Sequence, residues 1–246
     1  MKEKIYKGST KTLYQSDEDY ALIMSFDDTL KMSKNETIEI SGKGVINNTI
    51  SAYIMQKLDM IGIDNHLIEK TNMRQQLVQF VDVYPIQVHI TTLACGRYVT
   101  DFGMEDGFVF ESPIIDFRIK NKELNYPIIN EFQIISFGWM SKYELKEMKN
   151  KAIRIHDFLA GLFATARIRM VDIKLEFGRV FNGDDFMSML VDEISPDTCK
   201  LWDMESNEKL CYEVAQETPD KVIPAYQEVL NRLNIKKIAM LDMCKK

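Results

Sequence analysis

Between positions 171 and 180 the chain reads VDIKLEFGRV, charged and apolar side chains in strict alternation from Asp172 to Phe177. Successive side chains of a β-strand point to opposite faces, so Asp172, Lys174 and Glu176 share one face and Ile173, Leu175 and Phe177 the other. Such a strand has a core on one side and either water or a charged site on the other. Asn182 and Gly183 suit a turn, and residues 186–194 read as a second strand carrying Asp192 and Glu193 at its end. The resulting hairpin would bring Asp192 towards Glu176. Two carboxylates beside a lysine fit Mg²⁺ with nucleotide phosphates, because Mg²⁺ takes one or two carboxylates and leaves its other positions to phosphate and water. The same pattern also describes a solvated hairpin whose acids and bases merely pair.

The rest of the chain frames that hairpin. Short strands are predicted at 5–6, 11–14, 20–26, 67–68 and 76–90, with a turn at Gly8 and Ser9. Ile50, Tyr53, Ile54, Leu58 and Ile61 fall at helical spacing, so 47–60 reads as a helix with Gly62 marking its end. Ser141 and Glu144 have capping-box spacing and open a helix that runs to about Thr165. A last helix covers 219–233. Two strand-rich parts, meeting near Tyr84, predict an α+β chain of two lobes, 1–84 and 85–246, with a cleft between them. Gly8 and Lys11 could cover phosphates from the first lobe, although a glycine turn followed by lysine is usually just a turn.

Composition narrows the function. The 246 residues carry a formal charge of −6, which argues against a nucleic-acid surface but leaves small anionic ligands open. No stretch is long and apolar enough to span a membrane, and MKEKIYKGSTK is not followed by an apolar run, so a cytoplasmic protein is expected. Cys95, Cys199, Cys211 and Cys244 are scattered without metal-binding spacing and read as free thiols. His66, His89 and His156 are isolated in sequence, and none is singled out. Oligomeric state is not set by these features; a homodimer is one arrangement open to the chain.

Taken together, KGSTKTLY (7–14), the pair Asp27 and Asp28, GKGVINN (42–48), GMEDG (103–107), Phe137-Gly138-Trp139, VDIKLEFGR (171–179) and DEISPDTCKLWD (192–203) resemble the SAICAR synthetase family over about 6–233. The resemblance implies an ATP-grasp-like, two-lobed fold with nucleotide in the cleft. It implies an ATP- and Mg²⁺-dependent ligase that joins a carboxylate to an amine through an acyl phosphate. Carried over by position, Gly8, Lys11, Lys120 and Lys174 would meet ATP phosphates, with Lys120 and Lys174 serving phosphoryl transfer. Glu176 and Asp192 would hold Mg²⁺, and adenine would lie near Val83 and Pro85.

The acceptor half departs from the family pattern. Thr91 stands at an arginine position, Arg97 at a serine, Tyr126 at an aspartate and Lys200 at an arginine. Gln87 replaces a glutamate, Ser9 a lysine, Leu30 and Lys31 small residues, and CYEVAQ (211–216) a basic stretch. Clustering of these changes on substrate positions leads to the expectation that Thr91, Arg97, Tyr126 and Lys200 line a pocket for a different acid, a different amine or both. The alternatives are the standard purine-pathway reaction of the family, from a carboxyaminoimidazole ribotide, aspartate and ATP, and a nucleotide-binding regulator without catalysis.

Overall fold

The computed structural model describes residues 2–32, 36–181, 183 and 186–235. Asn182 and Cys244 lie outside them. Three strands open the chain as a meander: β1 (Lys4–Lys7), β2 (Lys11–Gln15) and β3 (Ala21–Phe26). The Gly8 amide donates to the Lys11 carbonyl at 2.8 Å and closes the first turn. A small hairpin, β4 (Thr29–Lys31) and β5 (Thr37–Glu39), precedes α1 (Lys43–Met60), after which β6 (Leu67–Lys70) and β7 (Gln75–Gln79) complete an antiparallel sheet in the order β1-β2-β3-β7-β6.

The helix expected from 47 starts four residues earlier, and the reason is not local. Asp28 accepts from the Gly42 and Gly44 amides at 3.1 and 2.9 Å, so an acid fourteen residues upstream satisfies the free N–H groups of the first turn. The same carboxylate takes both terminal nitrogens of Arg74 at 2.8 Å. Gly44 is required here: a Cβ would stand 2.4 Å from the Phe26 carbonyl oxygen.

The second sheet begins with β8 (Asp82–Leu93), which α2 (Arg97–Thr100) follows, then β9 (Val109–Ile119), β10 (Ile128–Ile129), α3 (Glu131–Ser136), α4 (Lys142–Thr165), β11 (Ile168–Phe181), β12 (Phe186–Val191) and β13 (Cys199–Asp203). Its order is β10-β9-β8-β11-β12, with β13 also pairing to β11, and every pairing is antiparallel. The helix α5 (Val214–Glu217), a 3₁₀ turn (Pro219–Lys221) and α6 (Val222–Arg232) close the described chain. The strand predicted over 76–90 is therefore two strands in two sheets. The break comes at Phe80, whose amide turns back to the Tyr20 carbonyl at 2.7 Å before the chain enters β8. Residue 84, the expected border of the lobes, lies within β8.

Helix α4 has the predicted reciprocal cap: Glu144 N–H donates to Ser141 Oγ at 3.1 Å, and Ser141 N–H to Glu144 Oε2 at 2.7 Å. Its buried Leu145, Met148, Ala152, Ile155, Leu159 and Phe163 recur at helical spacing and share one core with Val88, Ile90, Ile173, Leu175 and Phe177. Each large apolar side chain so buried contributes roughly 1.5–3 kcal/mol. Residues of α1 join the same core, so the two sheets are built on common packing. The apolar face of β11 is spent on that core, which leaves its charged face for the site.

Candidate active site

Register across β9, β8, β11 and β13 sets charged side chains out as a grid. Arg118, Gln87 and Glu176 pair across β9, β8 and β11; Asp116, His89 and Lys174 form the next row; Ile114, Thr91, Asp172 and Lys200 form the third, reaching β13. Rows are two residues apart, about 6.6–6.8 Å along the strands. Antiparallel pairing preserves the alternation, so every charged member of the grid faces away from the α4 core.

Beside the first row, Glu176, Asp192 and Glu193 meet two lysines. Lys120 is ion-paired to Glu176 Oε2, and Gln87 donates to Glu176 Oε1 at 2.7 Å. Lys11, from the first sheet, reaches both Asp192 Oδ1 and Glu193 Oε1 at 2.6 Å. Burial works against the Lys11 charge, yet Asp192 and Glu193 together hold its ammonium far above the ordinary lysine value. Burial and the Asp192 charge push the Glu176 carboxyl up; Asp192 faces the same burial, and Lys11 holds it down. Glu176 thus feels the Asp192 charge. Asp192 also has a left-handed backbone, φ 68°, and its carbonyl faces His66 Nε2 at 2.9 Å.

This donor set fits a hard cation. Besides Glu176 and Asp192 there is a third carboxylate, Glu193, which keeps a buried oxygen, Oε2, without a hydrogen-bond partner. Among the described residues no cluster of three or more acids, histidines or cysteines could hold a metal alone. A site completed by nucleotide phosphate needs only the pair.

A cavity of about 440 Å³ opens beside it and is lined by Thr91, Arg97, Tyr126 and Lys200, the four positions singled out in sequence. Thr91 donates to Asp172 Oδ2 at 2.6 Å, and Arg97 Nη1 meets Asp116 Oδ2 at 3.3 Å. Lys200 pairs with Glu213 at 3.1 Å; burial opposes its charge, but Glu213 leads the groups that raise it to about 12. Tyr126 takes Lys31 over its ring at 5.1 Å, so two of the substituted positions contact each other. Lys174 lies 4.7 Å from the Tyr212 ring centroid, and burial lowers it from the usual lysine range. Val83 and Pro85 are exposed at the start of β8, where the Pro85 carbonyl accepts from Lys120 N–H at 2.8 Å.

Sequence reasoning passed over Arg118, Asp116, His89 and Tyr212, all of which belong to this site. The signal for Asp116 and Arg118 was available: with Ile115, Phe117 and Ile119 between and around them they repeat the alternation of β11. His89 is buried and kept neutral, first by burial and then by Arg118 and Lys174.

A synthase from Ehrlichia chaffeensis matches with a TM-score of 0.92 and 39% identity over 95% of this chain and 99% of its own. A SAICAR synthetase solved in complex with ADP matches at 0.87 and 31% identity, over 93% and 96%. The fold and site are those of an ATP-dependent ligase that makes a carbon–nitrogen bond. The model of the SAICAR synthetase family covers residues 4–233, and the phosphoribosylaminoimidazole-succinocarboxamide synthase of Rickettsia prowazekii is 56% identical over 96% of this chain and all of its own. The chain belongs to the SAICAR synthetase family.

Two expectations are thereby corrected. Identity at this level over the whole length means the chain is not notably diverged from proteins bearing that enzyme's name, so the substitutions do not set it apart from them. Thr91 shares its cavity with Arg97, Arg118 and Lys200, so the lack of an arginine at position 91 does not leave that cavity without positive charge. A regulator without catalysis gives way to the ligase.

Proposed function

We propose that the chain carries out the reaction for which its relatives are named, joining aspartate to the carboxylate of carboxyaminoimidazole ribotide with ATP. The observation that carries this reading is the grid. The first row carries Glu176, paired to Lys120, with Asp192 and Lys11 beside it, and the cavity next to the grid is lined by cations.

Gly8 and Lys11 cover the phosphates from the first sheet, Val83 and Pro85 border the adenine, and Lys120 and Lys174 neutralise the transferring phosphoryl oxygens. Glu176 and Asp192 would hold Mg²⁺, which when bound would supply positive charge to the phosphates. A ribotide carboxylate oxygen attacks the γ-phosphorus and ADP leaves. The aspartate amine then attacks the acyl carbon, phosphate departs and the nitrogen loses a proton. Thr91, Arg97, Tyr126 and Lys200 shape the acceptor cavity. Lys174, lowered by burial, is suited to follow charge as it builds on the phosphoryl group.

The test is a steady-state assay with ATP, Mg²⁺, the ribotide and aspartate. A kcat/KM for the ribotide of about 10⁴ M⁻¹s⁻¹ or more is expected. Glu176→Gln and Asp192→Asn should each lower kcat at least roughly a hundredfold while folding is retained, since the remaining carboxylate cannot hold the ion against phosphate repulsion. Absence of product with wild-type protein overturns the reading.

A further inference from the structure

Four cations face the cavity, and the structure supplies counter-charges unevenly. Arg97 has Asp116 and Asp101, and Lys200 has Glu213. Lys174 rests over the Tyr212 ring and is assigned above to the nucleotide. The Arg118 side chain makes no hydrogen bond or ion pair with any described residue, and its Nε is buried without a partner. Arg118 is half-buried, and a guanidinium with one nitrogen shut off from water and no acid paired to it is ready to take an anionic ligand group.

Its place in the grid selects the ligand group. Arg118 shares a cross-strand row with Gln87 and Glu176, the metal end of the site. Lys200 stands two rows on, about 13 Å along the strands, and Cys95 Sγ, two residues from Arg97, lies 3.4 Å from its Nζ. A ribotide has its phosphate at one extremity and its imidazole carboxylate at the other. The carboxylate must lie next to the γ-phosphate, hence at the Arg118 end, which leaves the far end of the cavity to the ribotide phosphate. The planar fork of arginine matches a carboxylate with two parallel hydrogen bonds.

We infer that Arg118 binds the ribotide carboxylate that receives the phosphoryl group and aligns it with the metal row. The inference rests on the proposed function and goes beyond it by naming a binding residue at a position that the family resemblance did not mark. His89, neutral in the next row, keeps the positive charge concentrated on Arg118 and Lys174.

Calorimetry without ATP tests this, using two probes: carboxyaminoimidazole ribotide and aminoimidazole ribotide, which lacks the carboxylate. Wild-type protein should bind the first more tightly. Arg118→Gln should weaken the first by roughly thirtyfold or more, as expected for loss of a buried charge partner, and leave the second unchanged. Arg118→Lys should recover part of the loss, since it keeps the charge without the fork. Unchanged binding of the carboxylated ribotide to Arg118→Gln overturns the inference, as does equal weakening of both ribotides or failure of the wild-type protein to bind the first. Arg118-dependent binding with no turnover in the steady-state assay would sink the proposed reaction alone. Normal turnover with no Arg118 dependence would sink this inference alone.

Discussion

His66 is buried with its Nε2 2.9 Å from the Asp192 carbonyl. Burial lowers its pKa from 6.5 to about 4, with Asp192 opposing and Lys11 assisting. Between those two values the unfolded chain binds a proton that the folded chain does not, so stability falls as pH drops from about 6.5 to 4, by at most about 3 kcal/mol. Above the window both states are neutral, and below it both are charged. Urea unfolding of wild-type protein and His66→Gln across this range should show the steeper loss in the wild type. Parallel profiles would remove His66 as the cause. The consequence is chemical as well, because the backbone that carries Asp192 is anchored by a neutral ring and not by a second charge.

At the scale of elements, the site depends on how closely β11 approaches β8. A Cβ on Gly178 would stand 2.5 Å from Val81 Cγ1 and 2.6 Å from the Asp82 carbonyl oxygen. Gly178→Val should therefore cost about 1–3 kcal/mol through forced strand separation, and raise KM for ATP because Val83 pairs with Gly178. Urea titration and steady-state kinetics check both; an unchanged midpoint and KM would show that the strands can part freely. Local chemistry made β11 and α4 readable. The alternation of Asp172, Lys174 and Glu176 depends only on the pleat, and the Ser141–Glu144 cap is complete within four residues. What stayed hidden depends on distant partners: α1 is capped by Asp28, and the break between β7 and β8 is fixed by Tyr20. β9 was obscured by Pro113, which argues against a strand interior although the strand continues through it. Thr91, Arg97, Tyr126 and Lys200 were singled out one by one in sequence and line one cavity, but Arg118 becomes visible there only once the register of β9 on β8 is known.

For the molecule as a whole, a buried polar link ties the helices to the site. Lys43, fully buried at the start of α1, pairs with Asp197 Oδ2 at 2.5 Å, and Tyr226 of α6 donates its hydroxyl to Asp197 Oδ1 at 2.5 Å. Asp197 stands four residues after Glu193, on the segment that also carries Asp192. Asp197→Ala should leave the Lys43 ammonium buried without its counter-ion and destabilise the fold by about 3–5 kcal/mol. Chemical denaturation measures this directly. A loss below about 1 kcal/mol would mean that Lys43 finds another partner or water.

The pairing of Lys11 with Asp192 and Lys120 with Glu176 also bears on how ligands enter. In terms of linkage, the acids and the ammonium groups are each other's ligands. A cation arriving alone must displace two lysines and strand their charge, whereas a nucleotide arriving with it gives those lysines phosphates to hold. Each ligand therefore completes the exchange that the other begins. On the proposed reading, the coupling free energy would favour joint entry of metal and nucleotide, and it would arise from a swap of partners among charged groups already in place.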